Sequence, residues 1–180
     1  MRSSPRGFTL LELVVTLTII GLLAAFAVPA FMNMMRANAA TAITNELVAG
    51  FSYARTEAVT RVEPVSICPR PADPANISSC ANDWRHGYLI YRGNSPAGNN
   101  LLRVGEPLRN PDDVTAVVEA SGTADNRVTF LARGNVDSTA NNFTFNITLT
   151  PKGCSTGERK QRMIGVTFVG RASAIQEECA

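Results

Sequence analysis

Residues 8–28 read FTLLELVVTLTIIGLLAAFAV and contain one ionisable side chain, that of Glu12. A helix needs about 20 predominantly apolar residues to cross the hydrocarbon core of a bilayer, so this stretch is long enough to do so. Arg2 and Arg6 precede it, and positive charge before a span favours a cytoplasmic N-terminus. The bulk of the chain would then lie on the far side of the membrane.

Three interpretations fit this apolar stretch. Ala25-Phe26-Ala27 matches the A-x-A pattern at which secretory signals are cut. A plain membrane anchor would also explain the length. The third interpretation is a helix with a short leader that ends at Gly7 and with a functional carboxylate, Glu12. A carboxylate within an apolar span is costly, so it needs a partner or a function. The first two interpretations give Glu12 no role.

The composition excludes several classes of protein. The chain has 180 residues, of which 45% are hydrophobic and 18% charged, with a net charge of +2. It is too apolar to be disordered, and its 13 glycines and four cysteines are too few for a collagen or a disulfide-dense mini-protein. The length suits one domain with a real core. The small net charge gives no whole-molecule argument for nucleic-acid binding.

After Pro29 the helical pattern continues as an apolar stripe. The stripe has helical spacing and consists of Ile43, Leu47, Phe51, Ala54 and Ala58. We expect the helix to end near residues 61–63, because Pro64 disfavours helical geometry in the residue before it.

The rest of the chain predicts strands. Short segments rich in β-branched and aromatic residues, several of them alternating, span 65–68, 87–91, 101–104, 114–120, 127–132, 143–150 and 163–169. Strands that follow one long helix predict an α+β fold, in which a mainly antiparallel sheet packs on the apolar face of the helix.

The four cysteines all fall in the segment expected outside the cytoplasm, where an even number indicates disulfides. Three pairings are possible. We favour Cys68–Cys80, which closes a proline-rich loop, with Cys154–Cys179, which holds the C-terminal tail. A zinc site is disfavoured because the chain has no C-x₂-C spacing and His86 is its one histidine.

No motif for enzymatic chemistry is present in the sequence: there is no nucleophile elbow, P-loop or H-E-x-x-H. His86 stands beside Trp84, where a packing or surface role is expected, and Glu177-Glu178 has the character of a solvated tail. We therefore expect no catalytic residue, no metal and no cofactor.

Gly7-Phe8-Thr9-Leu10-Leu11-Glu12 resembles the N-terminus of type IV pilins and type II secretion pseudopilins. The resemblance implies that a prepilin peptidase cuts after Gly7 and methylates the amine of Phe8. It also implies that Glu12 neutralises the N-terminal amine of a neighbouring subunit, and that Pro29 loosens the helix within the filament. Loss of Arg2 and Arg6 with the leader would leave the mature side chains with no net charge.

Further segments resemble the FimT/FimU type of minor pilin and the GspH-like pseudopilins. They are Glu46-Leu47, residues 53–59, Cys68-Pro69, Trp84, Gly87-Tyr88, Thr129-Phe130, Gly134 and Gly170-Arg171. The implied organisation is a leader (1–7), a transmembrane and filament-core helix (8–35), the amphipathic half of that helix (36–63) and a periplasmic β-rich head (64–180). The implied protein is a non-enzymatic filament subunit held in the bacterial inner membrane before assembly. The implied partners are other pilins or pseudopilins in a filament, and the choice between pilus and secretion pseudopilus stays open.

DNA is a further possible partner. Minor pilins of the FimT type are implicated in DNA uptake through a C-terminal Gly-Arg-x-Arg element, of which this chain keeps Gly170-Arg171 and lacks the second arginine. Arg159, Lys160, Arg162 and Arg171 are the candidate phosphate contacts. The alternative is a solvated hairpin rim, and Glu177 and Glu178 would oppose DNA if they share its face.

Overall fold

The computed structural model describes residues 7–73, 75–106, 114–121, 126–138 and 143–179. Helix α1 spans Leu10–Arg61, ending before Pro64 as the sequence predicts. The chain divides into two compact units, one up to Met35 and one from Arg36 onward, here called the head. Residues 1–6 of the expected leader lie outside the described residues.

The part of α1 within the head buries one face. This face contains all five residues of the predicted stripe; the buried positions are Ala40, Ile43, Thr44, Leu47, Gly50, Phe51, Ala54 and Ala58. Small residues alternate with large ones along it. Close approach therefore occurs at the alanines and Gly50, while Leu47 and Phe51 fill the space between helix and strands.

Within the described residues, eight strands follow the helix. They are β1 (Val65–Pro69), β2 (Tyr88–Arg92), β3 (Leu101–Val104), β4 (Val114–Ser121), β5 (Val128–Phe130), β6 (Thr144–Pro151), β7 (Gln161–Thr167) and β8 (Ala172–Glu177). They form two four-stranded sheets, sheet A in the order β3-β2-β1-β5 and sheet B in the order β4-β6-β7-β8. All neighbouring strands are antiparallel.

The predicted α+β class is confirmed, since a long N-terminal helix packs on antiparallel strands. The strand β8 is not among those predicted from the sequence, which favours a tail in this segment. Ala172-Ser-Ala-Ile-Gln-Glu177 contains one strong strand former, Ile175, so its own preference for strand is weak. The strand forms because a tight turn returns the chain beside β7, where six residues find pairing partners.

An aromatic cluster lies where the helix, sheet B and the single-turn 3₁₀ helix Trp84–His86 meet. Phe51 lies 5.5 Å from Trp84 and 5.9 Å from Phe145, and Trp84 lies 5.9 Å from Phe145, as ring centroid distances. All three side chains are fully buried. Each contributes roughly 1.5–3 kcal/mol through burial, so this cluster is a main attachment between the helix and the strands.

Candidate functional site

The helix begins with a side-chain cap. The Oγ1 of Thr9 accepts a hydrogen bond from the backbone N–H of Glu12 at 3.2 Å, and the carbonyl of Thr9 accepts one from Leu13 at 3.2 Å. Thr9 is thus the N-cap, and Glu12 stands at the third helical position, where a carboxylate also interacts favourably with the helix dipole. The sequence analysis missed this role of Thr9, although the T-x-x-E spacing signals it.

The surface of α1 before Arg36 is apolar on every side. Phe8 is 83% exposed, and the large apolar side chains from Leu10 to Met35 are about half exposed or more. The hydroxyls of Thr16 and Thr18 donate to the carbonyls of Leu13 and Val14, at 2.8 and 2.7 Å, and so need no outside acceptor. A helix that is apolar all round, with its polar groups satisfied internally, suits lipid or a bundle of helices. By length and composition this helix is able to cross a membrane.

Glu12 interrupts this apolar surface. No ion pair among the described residues includes it.

Pro29 lies inside α1, and the helix continues through it. Because proline has no N–H, the carbonyl of Ala25 lacks its normal intrahelical donor, which weakens the helix locally.

The four candidate DNA contacts occupy different places in the head. Arg162 belongs to β7 on the same face as the buried Ile164 and Val166, and its Nη2 donates to the Oγ1 of Thr41 on α1 at 3.2 Å. Its partly buried side chain therefore connects sheet B to the helix. The alternation of β7 contains this information, but the sequence analysis counted Arg162 as a surface cation.

Lys160 and Arg159 precede β7. The Nζ of Lys160 pairs with the Oε2 of Glu158 at 3.0 Å, which also accepts from the backbone N–H of Ser155 at 3.0 Å. The Ser155 hydrogen bond, then Lys160, lowers the pKa of Glu158 below its ordinary value. Arg159 is exposed, and its carbonyl accepts from the side-chain amide of Gln176. Of these two cations, Arg159 is the better placed for an outside phosphate.

Arg171 lies at the other end of the β7–β8 hairpin. β7 spans Gln161–Thr167, so about 20 Å separates its two ends at 3.3–3.4 Å per residue. Arg171 is exposed, and so is Arg133, which lies in the turn before Val136. The N–H of Val136 donates to the carbonyl of Phe168 at 2.9 Å, which brings the two turns together. Arg133 is not among the candidate contacts predicted from the sequence. The four predicted residues thus do not form one surface.

Glycines fix the turn that carries Arg171. Gly170 has a φ of +78°, and a Cβ at this position would collide with the backbone carbonyl of Gly134. Gly134 has a φ of +79°, and a Cβ there would press on Arg55 and Val59 of the helix. Two turns and the helix therefore meet at a point where no side chain fits, which holds the Arg171 turn in place.

Two disulfides are present in the head, and they join the cysteine pairs favoured above. Cys68, in β1, is bonded to Cys80 with a Cα separation of 5.7 Å. Cys154, after β6, is bonded to Cys179, after β8, with a Cα separation of 6.0 Å. The backbone of Cys179 also exchanges hydrogen bonds with Glu158 and Gly157. The C-terminal end of β8 is therefore fixed to the β6–β7 loop.

Asp83 and His86 show no catalytic arrangement in the described part of the head. The Oδ1 of Asp83 accepts from the backbone N–H of Arg85 at 2.9 Å, its Oδ2 lies 2.7 Å from the Nη2 of Arg85, and His86 is 3.8 Å away. Partial burial raises the pKa of Asp83, but the hydrogen bonds and charge of Arg85, with His86, lower it by more. The shallow pocket beside them is lined by Asn82, Asp83, Arg85, Thr115 and Ala116. Asp83 is thus occupied in capping the 3₁₀ helix.

Two family models match this chain, one at its N-terminal segment and one over most of the head. The family described as "Type II transport protein GspH" matches residues 44–170, and the prokaryotic N-terminal methylation motif matches residues 2–28. The chain is 26% identical over 159 residues to the type IV major fimbrial protein FimA of Dichelobacter nodosus, covering 87% of this chain and 90% of that protein. It is 42% identical over 48 residues to the type IV major alpha-pilin of Moraxella bovis, covering 27% of this chain and 30% of that protein.

Solved structures with the same fold include two minor subunits. The type IV minor pilin FimU of Pseudomonas aeruginosa aligns with a TM-score of 0.58 at 21% identity, covering 79% of this chain and 96% of that one. The minor pseudopilin EpsH from the type 2 secretion system of Vibrio cholerae aligns with a TM-score of 0.51 at 12% identity, covering 76% and 96%.

Proposed function

This chain belongs to the family of the type II transport protein GspH, and we propose that it is a minor pilin, a non-enzymatic subunit of a type IV pilus. The observation that carries the proposal is an uncovered, predominantly apolar helix segment with one carboxylate, Glu12, preceding a folded β-rich head. A GspH-like minor pseudopilin of a type II secretion system is the alternative, and it uses the same N-terminal segment.

Processing would make the mature N-terminus. A prepilin peptidase cuts between Gly7 and Phe8 and methylates the new amine. Both residues precede the helix, which begins at Leu10, and the Phe8 side chain is 83% exposed, so this bond is accessible. Before assembly the subunit lies in the inner membrane with its head in the periplasm. We expect mass spectrometry of protein from the native host to find a chain that begins at methylated Phe8. A chain that begins after Ala27, or that keeps Met1, would overturn this step.

Assembly would move the apolar helix from lipid into a bundle of similar helices. Apolar side chains gain little from this transfer because both surroundings are apolar. The specific attraction comes from charge: Glu12 of one subunit meets the N-terminal ammonium of a neighbour, and each neutralises a group that is costly alone. Methylation leaves that ammonium charged.

The variant Glu12→Gln tests this pairing. We expect it to be inserted and cut normally, because its helix and leader are unchanged, but to be lost from the filament. Glu57→Gln, at a partly buried glutamate that pairs with Arg61 in the head part of the same helix, is the matched control and should assemble normally. The measurement is the amount of each variant in sheared filaments relative to the membrane fraction. Equal incorporation of Glu12→Gln and the native chain would contradict the pairing.

Deleting the gene for this chain in the native host distinguishes a pilus subunit from a pseudopilus subunit. Loss of surface filaments with normal protein secretion supports the pilus. Loss of secretion with normal pili supports the pseudopilus instead.

DNA binding is a second candidate, favoured by the exposure of Arg159 and Arg171, neither of which takes part in an ion pair among the described residues. The proposed contacts are Arg159 with Lys160 at one end of the β7–β8 hairpin and Arg171 at the other. Arg162 is kept out of the test because its side chain is hydrogen-bonded to Thr41. Binding would be electrostatic, through contacts to phosphates, because the proposed residues are exposed cations. The small net charge means that it would depend on this local group of cations.

The full chain in detergent, titrated with duplex DNA at several salt concentrations, tests this candidate. Removing the charges of Arg159, Lys160 and Arg171 together should weaken binding and flatten its salt dependence. Lys152→Ala, at an exposed cation outside the proposed set, is the control. Unchanged binding in the triple variant, or no binding at low salt, would exclude these residues as the DNA site.

A further inference from the structure

β8 is the outer strand of sheet B, and its outer side is uncovered in the described structure. It pairs with β7 alone. The side chains from Ser173 to Gln176 are exposed, which means that neither face of the strand is covered at these positions. The residues of β8, Ala172–Glu177, are here called the β8 edge.

Hydrogen-bond alternation shows which backbone groups point outward from the β8 edge. The N–H of Thr167 donates to the carbonyl of Arg171 at 3.0 Å, so this pair is of the hydrogen-bonded kind. The register continues from Val166↔Ala172 to Gln161↔Glu177 without a shift. Because hydrogen-bonded and non-hydrogen-bonded pairs alternate, Ser173, Ile175 and Glu177 bond to β7. The N–H and C=O groups of Ala172, Ala174 and Gln176 therefore point away from the sheet.

Residues 172–176 of the β8 edge lack the usual devices that prevent strand addition, and the charged Glu177 stands at its end. The β8 edge contains no proline, no lysine and no bulge, and its residues 172–174 have small side chains that leave the backbone open. Both ends are held, one by the Gly170 turn and the other by the Cys154–Cys179 disulfide. It is thus a preformed template of outward donors and acceptors, which needs little ordering before it binds.

Charges at the two ends of β8 define the charges that an antiparallel partner strand would need. Arg171 is exposed at its start, and Glu177 and Glu178 follow at its end. An antiparallel strand would bring its N-terminal end to the two glutamates and its C-terminal end to the arginine. The complementary strand therefore has a basic side chain at its beginning, an acidic one at its end and an apolar one near Ile175, which is 51% exposed.

We propose that the β8 edge receives an extended segment of a neighbouring filament subunit, which adds as an antiparallel fifth strand of sheet B. The nature of this partner rests on the proposed function of the chain as a filament subunit. Backbone hydrogen bonds to Ala172, Ala174 and Gln176 supply the attachment, and the end charges select the direction of the incoming strand. Contact between heads then adds to the attraction between the N-terminal helices.

Residue-resolved amide hydrogen exchange on the full chain in detergent micelles tests the proposal. The probe is a short synthetic peptide of alternating valine and threonine, with lysine at its N-terminal end and glutamate at its C-terminal end. At saturating peptide, exchange at Ala174 and Gln176 should slow by about tenfold or more, because these amides become hydrogen-bonded. Exchange at Ser173 and Ile175, which already bond to β7, should change far less. No slowing at the outward amides would overturn the proposal.

Two sets of variants sharpen the test. Ala174→Pro removes one outward donor without removing a bond to β7 and should lower peptide binding about tenfold or more, whereas Ala174→Val keeps the donor and should bind normally. The double exchange of Arg171→Glu with Glu178→Arg should prefer a peptide with lysine and glutamate interchanged, and this readout holds even if the proline variant folds poorly. Equal binding of both peptides by the native chain would overturn the charge-directed pairing.

A second copy of this chain is the competing occupant. Protection of Ala174 and Gln176 that rises with protein concentration in the absence of peptide would assign the edge to self-association and overturn the proposal. The peptide assay does not depend on filaments. If the peptide fails to bind while Glu12→Gln is still lost from filaments, strand addition falls and the filament role stands.

Discussion

The Nε of Arg55 on helix α1 donates a hydrogen bond to the backbone carbonyl of Gly134 at 2.9 Å. Gly134 in turn lies against Gly170, the residue that begins the return of the chain into β8. One helical side chain thus holds a turn between β5 and β6, and that turn supports the β7–β8 hairpin. The end of the head that carries Arg133 and Arg171 is fixed by these contacts.

Arg55→Ala should lower the free energy of unfolding by about 1–3 kcal/mol, because it leaves a partly buried carbonyl without its charged donor. Arg127→Ala is the matched control: its Nη1 donates to the carbonyl of Asn94 at 2.8 Å, but at an exposed site. Urea denaturation of both variants measures the difference. A loss for Arg127→Ala as large as that for Arg55→Ala would show that burial of the contact is unimportant.

Gly170→Ala should be more damaging, with a loss of about 3 kcal/mol or more, since it combines a strained positive φ with a collision against the Gly134 carbonyl. Gly157→Ala separates the two effects. Gly157 has a φ of +85°, but a Cβ there meets nothing within 4 Å, so we expect only about 1–2 kcal/mol. Thermal unfolding followed by circular dichroism compares the pair, and similar melting temperatures would refute the collision.

Asp83 should make the stability of the head depend on pH in the acid range. Its pKa is lowered in the folded state, mainly because Arg85 outweighs the effect of partial burial. The stabilisation is therefore complete above the unfolded pKa of about 3.9 and is lost as the pH falls through the lower folded value. Asn caps a helix as well as Asp does, so Asp83→Asn removes mainly the ion pair with Arg85 and should cost about 0.5–1 kcal/mol at neutral pH and progressively less below pH of about 4. Asp137→Asn, at an exposed aspartate, is the control, and a constant difference across this range would contradict the prediction.

The two disulfides should contribute similar amounts. Cys68–Cys80 joins residues 12 apart and Cys154–Cys179 joins residues 25 apart. Loop-closure entropy predicts about 3 and about 3.5 kcal/mol for them at 25 °C. Replacing both cysteines of one pair with alanine, followed by chemical denaturation, measures each contribution. We expect the loss of Cys154–Cys179 also to speed hydrogen exchange in β8, whereas the loss of Cys68–Cys80 should not.

Local patterns predicted much of this fold. The helical stripe from Ile43 to Ala58 is buried, the helix ends before Pro64, and the seven predicted segments correspond to β1–β7. The recognition of the pilin and pseudopilin family is confirmed by the match over residues 44–170. The helix and strand predictions are confirmed because burial of one side of a helix or strand requires apolar residues at regular spacing in the sequence.

Long-range features were not predictable in the same way. The division into two sheets depends on pairs such as Ser66 with Thr129, which no local pattern connects. Arg162 resembles a surface cation until Thr41 is known to lie opposite it. The roles of Gly7, Phe8, Glu12 and Pro29 in processing and assembly remain predictions, because they concern contacts with other molecules.

Helix α1 is one secondary-structure element but two thermodynamic systems. The turns after Arg36 are stabilised by the core of the head and should unfold together with the strands. The turns before it bury no apolar side chain within the chain, so their stability comes from whichever molecules surround them. A denaturation experiment on this protein therefore measures the stability of the head. The stability of the N-terminal half of the helix depends instead on whether detergent, a bilayer or a filament surrounds it.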